Sequence, residues 1–151
     1  MENPESFLQE WCVRYLENKD AVKREIASID RKTAMNITVN YKQGKREFFV
    51  MADLDEEDMP SVNESTGIGI FTLNNRSNVS MLAKRWKEFA QHRQFVLYFI
   101  NPFSKTDKAW IIFPYVHDKI CDAASLSRGL TAMAEMVESI DSDALLMKLQ
   151  G

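Results

Sequence analysis

Three groups of residues have the types and spacing that chemistry requires. His117, Asp118, Cys121 and Asp122 stand together just after a strongly apolar hairpin. On a helix, His117 and Cys121 at i and i+4 would share a face as two metal ligands do, and His117 beside Asp118 has the make-up of an acid–base pair. A structural zinc site takes four ligands, however, and Cys12 and His92 are the only other Cys or His residues in the chain. Capping of a following helix is the plainer expectation. Asp53, Asp55, Glu56, Glu57 and Asp58 form a second group ahead of Pro60. They lack the alternating ligands, central glycine and closing glutamate of a calcium loop, so a solvated loop is expected. Asp53, Asp55 and His117 are the residues to test against a divalent metal.

The third group is basic: Arg76, Lys84, Arg85, Lys87 and Arg93 along one helical region, with Lys105 and Lys108 beyond it. Such a face could follow a nucleic-acid backbone, or it could be an ordinary solvated helix face. Asn74-Asn75-Arg76-Ser77-Asn78 leads into the helix and is expected to cap it, with anion binding at the helix N-terminus as the alternative. Gly67-Ile68-Gly69 precedes a strand and is no phosphate loop, and neither a P-loop nor a G-x-S-x-G element occurs.

The 151 residues carry a net charge of −3, but residues 61–130 hold nine basic and five acidic side chains on an otherwise acidic chain. That mild excess is far from the strongly basic balance of dedicated nucleic-acid binders. Apolar content of 45% and charged content of 27% predict a single soluble globular domain over 1–151. Two cysteines give no disulfide framework and predict a reducing, cytoplasmic setting. The polar, acidic start Met1–Glu5 does not read as a leader. No apolar run approaches the roughly 20 residues that cross a bilayer, so no membrane partner is expected.

The elements that must position these groups read as α-β-β-β-α-β-β-α, an α/β fold (α+β by a strict reading) with a mixed sheet of about five strands. Leu8, Trp11, Cys12, Tyr15 and Leu16 mark one face of a first helix. Residues 21–29 read as its continuation or as a second short helix. Met35, Ile37, Val39 and Tyr41 alternate with polar residues as a half-buried strand, Gln43-Gly44 makes a turn, and Arg46–Leu54 returns. Gly67–Leu73 is a third strand, and Val79, Leu82, Ala83, Trp86, Phe89 and Ala90 trace one helix capped by Ser77 or Asn78. Phe95–Ile100 is an unbroken apolar run, the signature of a strand buried on both faces, and it pairs with Ala109–Phe113 before Pro114 ends the ladder. The step from Gly67–Leu73 to this run has the length of a parallel crossover. A last long helix is expected from Ser125, with Leu126, Leu130, Met133, Ala134, Val137 and Ile140 inward, and a short C-terminal turn follows through Leu145, Leu146 and Leu149.

This element order resembles the restriction-endonuclease-like nuclease superfamily, whose core is a helix, a three-stranded meander, a helix and a further strand. The resemblance covers roughly residues 5–113 and lies in the order of elements. In that superfamily an acidic residue on one strand and an acidic-x-Lys triplet on the next hold a divalent metal and activate water. The corresponding strands here, Phe48–Asp53 and Gly69–Leu73, lack the triplet. Glu17-Asn18-Lys19 and Asp30-Arg31-Lys32 are the only such triplets and fall outside those strands, so the resemblance implies a catalytically degenerate member.

These features together fit a small non-catalytic domain with no cofactor, acting through a protein partner or a homodimer. It predicts an exposed apolar patch on the C-terminal helices or at Trp110 and Phe113. The alternatives are a nucleic-acid-associated protein with a degenerate nuclease-like fold, and a metal-dependent nuclease with a displaced site.

Overall fold

Asn3 accepts the Glu5 N–H at 2.8 Å and Pro4 occupies the first turn, which together start helix α1 (Pro4–Asp20). The computed structural model describes residues 3–33, 35–60 and 67–151. After α1 come strands β1 (Ile26–Thr33), β2 (Asn36–Tyr41), β3 (Gly44–Val50) and β4 (Gly67–Leu73). Helices α2 (Arg76–Lys84) and α3 (Trp86–Phe89) follow, then β5 (Val96–Ile100) and β6 (Ala109–Ile112). Helices α4 (Pro114–Ile120), α5 (Leu126–Ala134) and α6 (Ser142–Gln150) complete the chain.

The six strands among the described residues form one mixed sheet in strictly sequential order, β1 to β6. The pairs β1–β2, β2–β3 and β5–β6 are antiparallel, whereas β3–β4 and β4–β5 are parallel. The expected crossover from β4 to β5 is therefore present, and the α/β class holds with one strand more than expected. Residues of β4 are buried throughout, and those of β5 divide between two cores. On one face, Val96 and Ile100 join Phe48, Phe71 and Leu73 beneath α1 and α6, with Leu8, Cys12 and Leu145 packed above. On the other, Leu97 and Phe99 join Ile70 and Trp110 beneath α2, α3 and α5, with Leu82, Trp86, Phe89 and Leu130. Phe71 stacks on Tyr98 and Phe99 on Trp110, each pair at 4.4 Å between ring centroids. Each such pair is worth about 1 kcal/mol beyond its buried area.

The added strand corrects the helical expectation for residues 21–29. Asp20 ends α1 by accepting the backbone N–H groups of Glu25 (2.8 Å) and Ile26 (3.0 Å), while Arg24 takes a left-handed φ of 52°. The chain reverses there and runs back as β1. Ile26 and Ile29, the two half-buried residues of β1, are three apart because the register shifts between Ile26 and Ser28. A bulge of this kind turns the strand period into a spacing that imitates a helix.

Three smaller corrections share one cause, a local turn that the apolar spacing does not reveal. The hairpin register pairs Tyr41 with Gly44, so Lys42-Gln43 is the loop and Gly44, at φ 100°, follows it. The single helix expected from Val79 to Ala90 breaks at Arg85, whose N–H reaches the Met81 and Ala83 carbonyls. The last long helix stops at Ala134, and Val137 and Ile140 reach the core from irregular chain: Val137 bridges to Asp107, and the Ile140 N–H bonds the Asn74 carbonyl at 2.9 Å.

Candidate functional site

Asparagine side chains fill the carboxyl ends of the parallel strands, where open α/β sheets commonly bind ligands. Asn75 caps α2 by accepting the Asn78 N–H at 2.9 Å, so neither Ser77 nor Asn78 is the cap. The buried Asn78 side chain accepts from Leu54 N–H and donates to the Ala52 and Leu73 carbonyls, at 2.8–3.0 Å. Asn74, also buried, donates to the Ala134 and Val137 carbonyls and accepts from the Trp110 indole at 2.8 Å. The segment Asn74–Asn78 is thus a structural knot that ties β4, the chain after β3 and the chain after α5 to one point. Its expected capping role is present.

The metal candidates are each engaged separately. Asp53 accepts the Ser142 hydroxyl at 2.7 Å at the start of α6, and Asp55 accepts the Glu57 N–H within its own turn. His117 lies edge-on to Trp86 at 5.6 Å, and the Trp86 indole donates to Asp118 at 2.8 Å. These contacts latch α4 to α3. Helix α4 ends at Ile120, and Cys121 is its extended C-cap rather than a helical partner of His117. Asp122 accepts the Ser125 N–H and hydroxyl, both at 2.8 Å, and these bonds hold its carboxyl below the usual range. Cys12 is wholly buried in the core beneath α1, where desolvation pushes its thiol up. Among the described residues, no three His, Cys, Asp or Glu side chains are grouped as metal ligands.

The basic residues are divided as well. Lys84 pairs with Glu56 at 3.3 Å and Arg85 with Glu88 at 2.7 Å. Lys108 donates to the Pro102 and Ser104 carbonyls, and the Lys105 N–H meets the Glu138 carboxylate at 3.2 Å. Arg76 lines a groove of about 470 Å³ between α2 and α5, opposite Glu135 and Glu138. Lys87 is exposed on α3, and Arg93 lies over the Tyr115 ring at 5.6 Å. The expected basic face is therefore interleaved with carboxylates.

The residues the structure does bring together are apolar. Phe113, Val116 and Ile120, at intervals of three and four, are 42%, 54% and 79% exposed along α4. Beside them Tyr115 accepts the Lys119 ammonium at 2.8 Å, which lowers its phenol, and Arg93 and Lys119 both sit over its ring. The stripe follows β6, an edge strand of Ala109, Trp110, Ile111 and Ile112 whose own side chains are buried or half-buried. No strand pairs on its outer side among the described residues, and Val137 bridges to Asp107 just ahead of it. Of the two residues expected in an exposed patch, Phe113 is exposed, whereas Trp110 is buried. Met136, Leu146 and Met147 are also exposed, on and near the C-terminal helices. Val116 and Ile120 were overlooked in sequence, although Pro114 as a helix start followed by Val116 and Ile120 was a readable signal.

The fold defines a mixed α/β protein with β6 at one edge of its sheet. No helix among the described residues is long and apolar enough to cross a membrane. Comparison of the chain with family models, curated proteins and solved structures returns no match.

Proposed function

We propose that this protein is a non-catalytic interaction domain that pairs with a second copy of itself through the β6 edge and the outer stripe of α4. The observation that supports the reading is the contrast between the two sheet edges. Strand β1 carries Asp30, Arg31 and Lys32 and two register shifts, the usual defences of an edge against pairing. Strand β6 has no charge, no proline and no shift in its register with β5, and the chain leads directly from it into the exposed Phe113, Val116 and Ile120. An antiparallel β6–β6 contact about a two-fold axis uses one patch twice, which is the commonest form of closed assembly. The separate engagement of Asp53, Asp55 and His117 supports a non-catalytic role.

Sedimentation over a concentration series tests the reading. The wild-type chain is expected to be a dimer, and Val116→Glu with Ile120→Glu is expected to leave a folded monomer. A wild-type chain that stays monomeric throughout overturns the proposal. The nucleic-acid reading would regain ground only if salt-sensitive binding depended on Arg76 and Lys87, two of its helical cations, neither of which pairs with a carboxylate among the described residues.

A further inference from the structure

At the other end of the sheet from the asparagine knot, the amino ends of β3 and β4 and the β2–β3 turn border a pocket of about 930 Å³. Its lining includes Tyr41, Lys42, Lys45, Arg46 and Gln94, and among the described residues the one carboxylate in the lining is Glu25. Arg46 is half-buried, and its Nη1 donates to the backbone carbonyls of Gln94 and Ile68. No carboxylate pairs with it, and neither Nε nor Nη2 has a hydrogen-bond partner among the described residues. Gly67 makes room for this arrangement: a Cβ there would stand 3.1 Å from the Arg46 guanidinium carbon and 3.0 Å from the Gln94 side-chain oxygen.

A guanidinium drawn partly out of water without a counter-charge is costly, and an anion supplied from outside removes that cost. The field of Arg46 is felt by Tyr41 and Tyr98, whose phenols it lowers against the larger, opposite effect of burial. Arginine presents a planar fork that matches phosphate or carboxylate oxygens, and here one edge of that fork is already held by the backbone. Three cations against one carboxylate among the described lining residues favour a dianion over a monoanion. The volume suits a small molecule.

We propose that this pocket binds a small phosphomonoester, with Arg46 as its anchor and Lys42 and Lys45 completing the charge. The site is independent of the β6 edge, so it stands or falls apart from the dimer reading.

The test is an amide-resolved NMR titration of the full chain at constant ionic strength. The probes are phenyl phosphate, acetate and a short oligonucleotide without a terminal phosphate. Saturable shifts confined to Lys42, Arg46, Gly67 and Gln94 are expected with phenyl phosphate, with acetate weaker by about tenfold. Arg46→Lys keeps the charge but not the fork and is expected to weaken binding by about tenfold. Lys42→Ala with Lys45→Ala, both exposed, is expected to weaken it several-fold with an unchanged melting temperature. Shifts that do not saturate, equal binding of acetate, tighter binding of the oligonucleotide or an Arg46→Lys chain that binds like wild type would each overturn the proposal.

Discussion

Asn78 shows how a single polar side chain can hold separate parts of this chain in place. Its amide satisfies one donor and two acceptors of the backbone at the ends of β3 and β4, all in a buried site. Truncation would leave those groups without partners, and each buried group so stranded costs on the order of 1–3 kcal/mol. Asn78→Ala is therefore expected to lower unfolding stability by about 3 kcal/mol, read from urea midpoints at unchanged slope. A loss under about 0.5 kcal/mol would mean that water replaces the amide at no cost. In sequence the run of asparagines was legible as a capping turn. Its partners were not, because Ala134, Val137 and Ile140 lie 60 to 65 residues further along.

At the scale of elements, β1 depends on Asp20 to end α1 and turn the chain. Both carboxylate oxygens of Asp20 accept backbone N–H groups, from Glu25 and Ile26. Asp20→Ala is expected to cost about 1 kcal/mol and to speed amide exchange in residues 26–33 well before β4 is affected. Equal exchange in the two variants would show that β1 is held by its pairing with β2 alone. The apolar stripe of α1 and the unbroken run of β5 were legible because each element carries its own pattern. The charged face of α2 was misleading for the same reason: Lys84 finds Glu56 across a loop, a pairing that helix periodicity cannot encode.

For the molecule as a whole, the packed aromatic face beneath α1 predicts a limit at alkaline pH. Tyr98 stacks on Phe71, meets Tyr15 and Phe48 edge-on, and burial pushes its phenol from the ordinary 10 up to about 12. The fold accommodates the neutral phenol, so the folded value lies above the unfolded one. The stability this contributes is complete below pH 10 and is lost as pH rises through about 12. The shift corresponds to about 2–3 kcal/mol. Burial likewise raises Tyr41 and Cys12, which act in the same direction. Urea midpoints measured between neutral pH and pH 11 are expected to fall, and Tyr98→Phe is expected to flatten that fall. An alkaline limb in Tyr98→Phe as steep as in wild type would remove this account.

The sequence by itself determined the elements whose pattern is contiguous. These are α1 by its helical stripe, β2 by alternation, β5 by an unbroken apolar run, and from their order the mixed α/β sheet. Neighbouring residues share a face or a strand through backbone geometry alone, so spacing suffices for them. Only the tertiary structure decided the rest. It made β1 a strand by capping α1 and bulging the edge, and it paired the carboxylates that interleave the basic face. It also left β6 at the sheet edge beside the α4 stripe, and it placed Arg46 against Gln94 and Ile68 with no carboxylate paired to it among the described residues. Pairs such as Lys84 with Glu56 and Arg46 with Gln94 join residues distant in the chain, and their burial and charge pairing become defined only when the sheet brings them together.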